Sequence, residues 1–393
     1  MLFIEDLNVK GKTVFVRVDF NVPLDDKGEI RNDTRIKASL PTIEYLLAKG
    51  AKLVLASHLG RPKGKPDPKM SLKPVAARLG ALIGREVIFA ADCVGGEIET
   101  LKAGLKAGQV LLLENLRFHD GETKNDPEFS KRLAAGIDVF VNDAFGSSHR
   151  AHASVVGITD FVKTCAAGYL MKLEVEYLRK AIHSPAKPYV AILGGAKSED
   201  KIPVIENLLN KADTILIGGA MAYTFLKAQG HDVGRSLVEA DKIGIALSIL
   251  AKAREKKVEF LLPIDHVLTT SIESGVVTKT TDELPFPGDM MGVDIGPKTI
   301  ARYSEIIAKA KTIVWNGPLG VFETPAFAQG TIKIAEAVAD SGAISIIGGG
   351  DSIAAVAKAG VSDKITHIST GGGASLEYLS FETLPGLEAL EKK

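Results

Sequence analysis

The sequence predicts an α/β fold built from two doubly wound parallel sheets. Its 393 residues exceed the length that one hydrophobic core usually organises, so two domains are expected. Short β-branched runs recur throughout, and each is followed by a loop and a stretch with helical apolar spacing. The runs are almost continuously apolar, which is typical of strands that helices cover on both faces. These observations predict two Rossmann-like domains with a cleft between them.

The predicted strands fall into two groups that a helix separates. Those of the first half are 13–20, 52–57, 86–90, 110–115 and 139–144. Those of the second half are 189–194, 214–219, 259–265, 312–317, 344–349 and 365–370. Between them, 169–183 carries apolar residues at helical spacing, and Pro185 and Pro188 end the helix. This helix joins the two predicted domains, either as a hinge or as a rigid packed connection.

Composition and charge narrow the class of protein. The 48 basic and 48 acidic residues give a net charge of zero, which argues against nucleic-acid or membrane partners. Cys93 and Cys165 are the only cysteines, so no thiolate set for a structural zinc is present. The N-terminus lacks the pattern of a secretory signal, and no apolar run reaches bilayer-spanning length. We therefore expect a cytoplasmic protein.

Cationic and polar residues follow the strands of the first half, where ligands bind in open parallel sheets. They are Asp19, Asn21, Arg35, His58, Arg61, Arg117, His119, His149, Arg150 and His152. A single arginine is more often part of a surface ion pair. Four arginines after successive strands instead indicate a binding site for a small polyanion, because a guanidinium can donate two hydrogen bonds to one phosphate or carboxylate. The histidines are weaker candidates, with His58 and His149 ranked above His119 and His152. The predicted substrate carries phosphate.

Glycines follow the strands of the second half. They lie in 194–197, 218–220, 316–318, 348–352 and 370–375. Glycine allows the backbone to approach phosphate closely, and a following helix N-terminus favours an anion. Lys197 and Lys201 add charge beside one turn, and Asp351 offers an oxygen ligand for magnesium at another. This half therefore predicts a nucleotide site.

The common nucleotide fingerprints are absent from the sequence. There is no complete Walker A loop, no GxGxxG after a strand with an acid about twenty residues on, and no HRD or DFG motif. Two alternatives to a phosphotransferase remain at this point. One is a nicotinamide-dependent oxidoreductase on a similar scaffold, and the other is a non-enzymatic two-domain protein that closes on an anion.

Seven or more blocks, in order, carry a family resemblance. They are RVDFNVP from Arg17, SHLGRP from Ser57, ENLRFH from Glu114, NDAFGSSHRAHAS from Asn142, LGGAKSEDKI from Leu193, WNGPLGVFE from Trp315, and the final GGGDS and STGGGASLE runs. Together they resemble the phosphoglycerate kinase family from near residue 5 to about residue 380. The resemblance implies a monomeric phosphotransferase with a carboxyl group as acceptor, acting on small molecules in glycolysis.

The resemblance also implies a division of the chain. Residues 1–168 would bind 3-phosphoglycerate or 1,3-bisphosphoglycerate through Asp19, Phe20, Asn21, Arg35, His58, Leu59, Gly60, Arg61, Arg117, His149 and Arg150. Residues 169–188 would form the hinge, and the tail 374–393 would return to the first domain. Residues 189–373 would bind ATP or ADP through Lys197, Lys201, Gly218, Gly219, Gly292, Asn316, Glu323, Gly349, Gly350, Asp351 and Ser352, with Asp351 holding Mg²⁺.

The implied chemistry needs no general base, because the attacking carboxylate is already ionised. Arg35 and Lys197 are the residues expected to neutralise the migrating phosphoryl group, assisted by amides beyond Gly349 and Gly372. Two residues depart from the family pattern. Ala220 stands where a third glycine is common, and Met290 where tryptophan is common, and both concern the adenine pocket.

Overall fold

A computed structural model of the chain describes residues 1–273 and 278–392. The chain divides into two compact units. Unit 1 contains Met1–Glu176 together with residues 383–392, and unit 2 is Tyr177–Glu382. The division falls inside the helix at 169–183, and the tail predicted to return to the first domain is shared between the units. No helix in the described part of the chain has the length and apolar character needed to cross a membrane.

Unit 1 is built on a seven-stranded parallel sheet. Its strands are β1 (Leu2–Phe3), β2 (Thr13–Arg17), β3 (Lys52–Ala56), β4 (Val87–Phe89), β5 (Val110–Leu112), β6 (Val139–Asn142) and β7 (Thr164–Ala167). Its helices up to this point are α1 (Thr34–Ala48), α2 (Lys73–Ile83), α3 (Gly96–Gly104), α4 (Asp120–Thr123) and α5 (Pro127–Ala134). The strand order is β1-β7-β6-β2-β3-β5-β4, and all pairs are parallel.

The order of the strands determines where a ligand can bind in unit 1. The strands that follow β2 in the chain, β3 to β5, lie on one side of β2 in the sheet. The next strand, β6, pairs with the other side of β2. This reversal opens a crevice at the carboxyl ends of β2 and β6. Apolar residues of β2, β3, β5 and β6 form the buried core beneath it.

Unit 2 begins within α6 (Tyr169–His183) and contains a second parallel sheet and a small antiparallel one. The strands of the two sheets, in chain order, are β8 (Tyr189–Leu193), β9 (Thr214–Ile217), β10 (Glu259–Leu261), β11 (His266–Thr269), β12 (Thr278–Thr281), β13 (Met291–Ile295), β14 (Thr312–Asn316), β15 (Ile344–Gly348) and β16 (His367–Ile368). Its remaining helices are α7 (Ile202–Leu208), α8 (Met221–Ala228), α9 (Ile243–Glu255), α10 (Pro297–Ile307), α11 (Gln329–Asp340), α12 (Gly350–Lys358) and α13 (Gly373–Phe381). The chain then re-enters unit 1 as α14 (Pro385–Glu391).

The sheet of unit 2 has six parallel strands in the order β10-β9-β8-β14-β15-β16. Its reversal point lies between β8 and β14, which places the predicted glycine turns at the edge where ligands bind. A separate antiparallel sheet has the order β12-β11-β13. The α/β class and the parallel sheets are confirmed, whereas the small antiparallel sheet was not predicted.

Candidate active site

A cluster of five arginines lies at the carboxyl edge of the unit 1 sheet. We call Arg17, Arg35, Arg61, Arg117 and Arg150 the guanidinium cluster. The pKa of Arg117 is lowered to about 10 by burial first, and then by the positive charges of Arg17, Arg150 and Arg61. Glu122 opposes this change. Five guanidinium groups gathered at one edge are suited to an incoming anion.

Arg17 is the buried centre of this cluster. It ends β2, its side chain is fully buried, and its Nε donates to Ser154 Oγ at 2.8 Å. A second nitrogen contacts His58 Nδ1 at 3.1 Å. Burial lowers the pKa of Arg17, while the nearby carboxylates of Glu122 and Asp19 oppose that change. Arg17 is therefore a fixed interior charge that holds the residues around it.

A chain of hydrogen bonds links most of the predicted phosphoglycerate residues. Arg35 donates from NH1 to both Asp19 oxygens at 3.3 Å and to the Asn21 carbonyl at 3.1 Å. Asn21 Oδ1 accepts from the Gly60 amide at 2.9 Å, and the Gly60 carbonyl accepts from Arg117 NH1 at 2.8 Å. The structure thus brings loops after three strands to one place. Arg35 keeps 37% of its side chain exposed, so it can also meet a ligand.

The pKa values of three histidines at this edge are lowered, which favours their neutral forms. Burial lowers the pKa of His58 well below its ordinary value, and the surrounding arginines add to the effect. Burial, followed by the charges of Arg117, Arg17 and Arg150, lowers the pKa of His152 to about 3. The pKa of His149 is lowered for the same two reasons, and its Nε2 contacts Arg150 Nε at 3.0 Å.

These shifts give an expected dependence of stability on pH. The unfolded chain binds a proton at His152 below its ordinary pKa near 6.5, whereas the folded chain does not do so until about pH 3. The free energy of unfolding therefore falls as pH falls through that window, by at most about 1.4 kcal/mol per pH unit for this residue. His152→Asn should have a melting temperature that drops less than that of the wild type between about pH 7 and about pH 5. Exposed His231→Asn is the matched control, and equal slopes for wild type and His152→Asn would refute the assignment.

Two of the predicted substrate residues lie in the core. The side chains of Phe20 and Leu59 are buried within the hydrophobic cluster under the sheet edge. The Phe20 amide donates to Ser57 Oγ at 2.8 Å, and the Leu59 amide donates to Asn115 Oδ1 at 3.2 Å. Their side chains therefore shape the loops and do not face open space.

In unit 2, three glycine turns are joined through their backbones. The Gly194 amide donates to the Asn316 carbonyl at 2.9 Å, and the Gly195 amide donates to the Pro318 carbonyl at 2.8 Å. The Gly219 amide donates to the Leu319 carbonyl at 2.9 Å. The turns after β8, β9 and β14 thus form one continuous edge.

A cavity of about 240 Å³ lies against this edge. Its lining includes Gly195, Gly219, Ala220, Tyr223, Gly292, Asp294, Leu319, Glu323 and Asp351. Two glycines are required for its shape. Gly219 has φ +64°, and a Cβ there would lie 2.5 Å from the Gly195 nitrogen. A Cβ on Gly292 would lie 2.0 Å from the Tyr223 hydroxyl.

The N-termini of α12 and α13 lie side by side. No side chain caps either helix, since Gly349 and Gly372 occupy the N-cap positions. Uncapped first-turn amides are free to bind phosphate oxygens. A Cβ on Gly348 would contact the Ser375 side chain at 3.4 Å, which shows how closely the two helix starts approach.

Asn316 is the clearest unpaired donor near these helix starts. Its side chain is buried, and its Nδ2 has no hydrogen-bond partner within the described residues. Nδ2 lies beside Gly349, where a Cβ would be 2.8 Å away. Ser352 is buried and accepts from the Gly317 amide at 2.6 Å, so it ties α12 to the turn after β14.

The two predicted lysines flank the turn after β8. Lys201 Nζ donates to the Lys197 carbonyl at 3.4 Å, and it would be 3.3 Å from a Cβ on Gly195. Lys197 is exposed. Gly218 packs against Leu319 and does not line the cavity.

The two departures from the family pattern pack against the same apolar cluster of Tyr223, Leu226 and Phe286. Ala220 also lines the cavity, whereas Met290 does not. Sequence reasoning also missed the lining residues Tyr223 and Asp294. Burial raises the pKa of Asp294 to about 7, although it accepts from the Gly330 and Ile295 amides.

Known proteins resemble this chain over its whole length. The family model described as phosphoglycerate kinase matches residues 4–382. A protein of Acidobacterium capsulatum named phosphoglycerate kinase is 61% identical, with 100% of this chain and 99% of the relative covered. One of Koribacter versatilis with the same name is 59% identical at the same coverage.

Solved structures agree with these matches. The phosphoglycerate kinase structure from Coxiella burnetii has a TM-score of 0.91 and 41% identity, covering 100% of this chain and 99% of that one. The structure from Pyrococcus horikoshii OT3 has a TM-score of 0.83 and 38% identity, covering 100% and 98%. Neither the oxidoreductase nor the non-enzymatic alternative finds support. The chain is a phosphotransferase, and it belongs to the phosphoglycerate kinase family.

Proposed function

We propose that the chain moves a phosphoryl group between 1,3-bisphosphoglycerate and ADP, giving 3-phosphoglycerate and ATP, and that the two units divide the substrates. The observation that carries the proposal is the presence of two anion sites with different chemistry. The site in unit 1 consists of guanidinium groups, and the site in unit 2 consists of backbone amides, lysines and a cavity. A single-substrate binding protein would need only one of them.

Unit 1 is the proposed phosphoglycerate side. Arg17 is fully buried against Ser154 and His58, whereas Arg35 and Arg117 are half-buried and Arg61 and Arg150 are exposed. This arrangement suits a small molecule that carries both phosphate and carboxylate, because each guanidinium offers two parallel donors. Asp19 orients Arg35, and His58 and His149 supply neutral contacts beside the arginines.

Unit 2 is the proposed nucleotide side. The cavity beside Gly219 and Gly292 takes the nucleoside, and the exposed Lys197 lies at the neighbouring turn with Lys201. The free Asn316 donor and the N-terminus of α12 then face the phosphates. Glu323 lines the nucleoside cavity, whereas Asn316 lies beside Gly349 and contributes on the phosphate side.

The donor set at α12 is compatible with magnesium. Asp351 is an exposed carboxylate in the first turn of α12, and it shares the cavity wall with Glu323. Mg²⁺ prefers such oxygen ligands together with substrate phosphates and water. When bound there, magnesium neutralises charge on the nucleotide phosphates. Asp351 is the residue proposed to hold it.

The reaction can proceed without proton transfer. A carboxylate oxygen of 3-phosphoglycerate forms a bond to the terminal phosphorus of ATP, and the bond from that phosphorus to the ADP oxygen breaks. The protein therefore has to position the reactants and neutralise charge. Arg35 and Lys197 are the proposed neutralising cations, and the helix-start amides beyond Gly349 and Gly372 assist them.

Transfer also requires the two bound groups to come within bonding distance. The proposal therefore includes a closing motion about residues 169–188, which excludes water from the reacting groups. The monomeric state and the cytoplasmic location rest on family membership and stay predictions.

A coupled assay tests the proposed function directly. Purified chain with ATP, Mg²⁺ and 3-phosphoglycerate should support loss of NADH through added glyceraldehyde-3-phosphate dehydrogenase, and omission of 3-phosphoglycerate should abolish that loss. No turnover by a folded wild-type chain would refute the proposal. NADH loss that requires 3-phosphoglycerate but neither ATP nor the added dehydrogenase would favour an oxidoreductase.

The magnesium role has a separate test in the same assay. Asp351→Asn should raise the magnesium concentration needed for half-maximal rate by about 10-fold or more, because a neutral amide is a poorer ligand than a carboxylate. The control Asp363→Asn removes an exposed acid of the same unit and should leave the magnesium dependence unchanged. An unchanged dependence in Asp351→Asn would remove Asp351 as the ligand.

A further inference from the structure

Three metal-ligating side chains gather in unit 1, and the proposed reaction uses none of them. Asp92 and Cys93 follow β4, and His119 follows the short 3₁₀ turn Leu116–Phe118. One ligand atom from each residue lies within 4.8 Å of the other two. In the part of the chain that the structure describes, no other three histidine, cysteine or acidic residues come together in this way.

The fold brings these residues together by pairing their strands. β4 pairs with β5 in parallel, so the segments that follow the two strands leave the sheet at the same edge. The buried Cys93 thiol donates to the Glu114 carbonyl just after β5, at 3.0 Å. His119 Nε2 lies 2.5 Å from Asp92 Oδ1, which is hydrogen-bonding distance, so an ion that binds both groups has to separate these two atoms.

Neighbouring packing fixes the orientation of each ligand. The His119 ring stacks on Phe129, with ring centroids 5.0 Å apart. Asp92 Oδ1 also accepts from the Cys93 amide at 2.6 Å. Supports of this kind around the ligands are typical of metal sites, where they orient the imidazole and carboxylate.

The local charge favours a cation. The negative charges of Asp92, Glu122 and Glu114 all act on the buried Cys93 side chain. Lys102 opposes them, but its Nζ donates to the Leu133 carbonyl at 2.9 Å, away from the ligand atoms. A dication between the ligands would neutralise this negative field and stabilise the thiolate.

A cavity borders two of the three ligands. It has a volume of about 720 Å³ and is lined by Asp92 and His119 among prolines and other residues of 66–77 and 114–119, whereas the buried Cys93 is not part of its lining. An ion can reach Asp92 and His119 through it, and a water molecule from it can occupy a fourth coordination position.

We propose that Asp92, Cys93 and His119 bind one zinc ion. Thiolate, imidazole and carboxylate are the ligands that zinc takes in proteins, and three of them with one water give its tetrahedral geometry. On binding, the Cys93 thiol releases its proton to solvent, and the sulfur–zinc bond replaces the hydrogen bond to Glu114. Magnesium prefers an all-oxygen set, so this site is chemically distinct from the nucleotide site. Zinc here links the loop after β4 to the turn that carries Arg117.

Cobalt(II) is the probe, because it takes zinc sites and absorbs light. The full chain is treated with a chelator, supplied with excess Mg²⁺ and no nucleotide, and titrated with Co²⁺. We expect one equivalent to bind, with a thiolate-to-cobalt charge-transfer band and intense visible absorption of a tetrahedral ion. Zinc should displace the signal. Absence of the charge-transfer band in the wild type would overturn the proposal.

Three variants assign the ligands. Cys93→Ser should lose the charge-transfer band, whereas Cys165→Ser should keep it, because Cys165 is equally buried with its thiol donating to a carbonyl elsewhere in unit 1. His119→Asn should weaken Co²⁺ binding by at least about 10-fold while keeping a thiolate band at high Co²⁺. Retention of the band in Cys93→Ser, or unchanged affinity in His119→Asn, would refute the site even if one variant folds poorly.

Discussion

Arg35→Ala should lower kcat by about 10³-fold, the scale seen when an arginine that stabilises a transferring phosphoryl group is removed. Arg35 has its NH1 fixed by Asp19 and Asn21, while more than a third of its side chain stays exposed at the guanidinium cluster. The loss should appear mainly in kcat, since the remaining arginines still bind phosphoglycerate. The coupled assay with saturating substrates measures it.

Two further variants separate charge from geometry at this position. Arg35→Lys keeps the positive charge but loses the two-pronged donor, so it should be slow but faster than Arg35→Ala. Arg85→Ala removes an exposed arginine of unit 1 whose side chain donates to the Gly108 carbonyl, and it should retain wild-type kcat. More than a tenth of wild-type kcat in Arg35→Ala would exclude Arg35 from charge neutralisation.

Lys197→Ala should lower kcat by about 10² to 10³-fold, the cost of removing one preorganised group that stabilises developing charge. Lys197 is an exposed lysine at the turn after β8, and the adjacent Ala196 lines the cavity proposed for the nucleoside. Nucleotide affinity, measured by calorimetry, should change much less than kcat.

Comparing the change in kcat with the change in nucleotide affinity distinguishes a role of Lys197 in the transition state from a role in ground-state binding. An unchanged kcat with a raised KM would mean that Lys197 contributes equally to ground-state and transition-state binding. Lys256→Ala is the control, because Lys256 is an exposed lysine of unit 2 that donates to Asn210 and should affect neither quantity.

Most strands of the parallel sheets could be predicted because they lie in almost continuously apolar runs of the sequence. Three of the strands missed in the sequence lack that signal. β1 has two residues, β7 is TCAA, and β12 is TKTT with three of its four residues exposed. The predicted strand 259–265 ends at Leu261, and Pro263 explains the break because it cannot donate to a parallel ladder.

The exposed residues of the candidate site could be predicted from the sequence, whereas its buried residues were predicted less well. Strand-end position and residue type identified Arg35, Arg117 and the glycine turns. Arg17 carried a signal that was overlooked, since a charged residue inside the apolar strand TVFVR is rarely buried without a specific partner. Glu122, which accepts from the Ser154 hydroxyl at 2.7 Å, gave no such signal, because it precedes its partner by 32 residues in a polar segment.

The return of the chain to unit 1 also constrains its synthesis. α14 packs on β7, and the Gly386 amide donates to the Ser148 carbonyl at 2.9 Å, next to His149 and Arg150. A Cβ on Gly386 would lie 2.8 Å from both Ser148 and Val155, so the contact is tight. Unit 2 is in effect an insertion within unit 1. On the ribosome, the loop that carries Arg150 therefore cannot reach its final packing until residues translated after all of unit 2 have emerged.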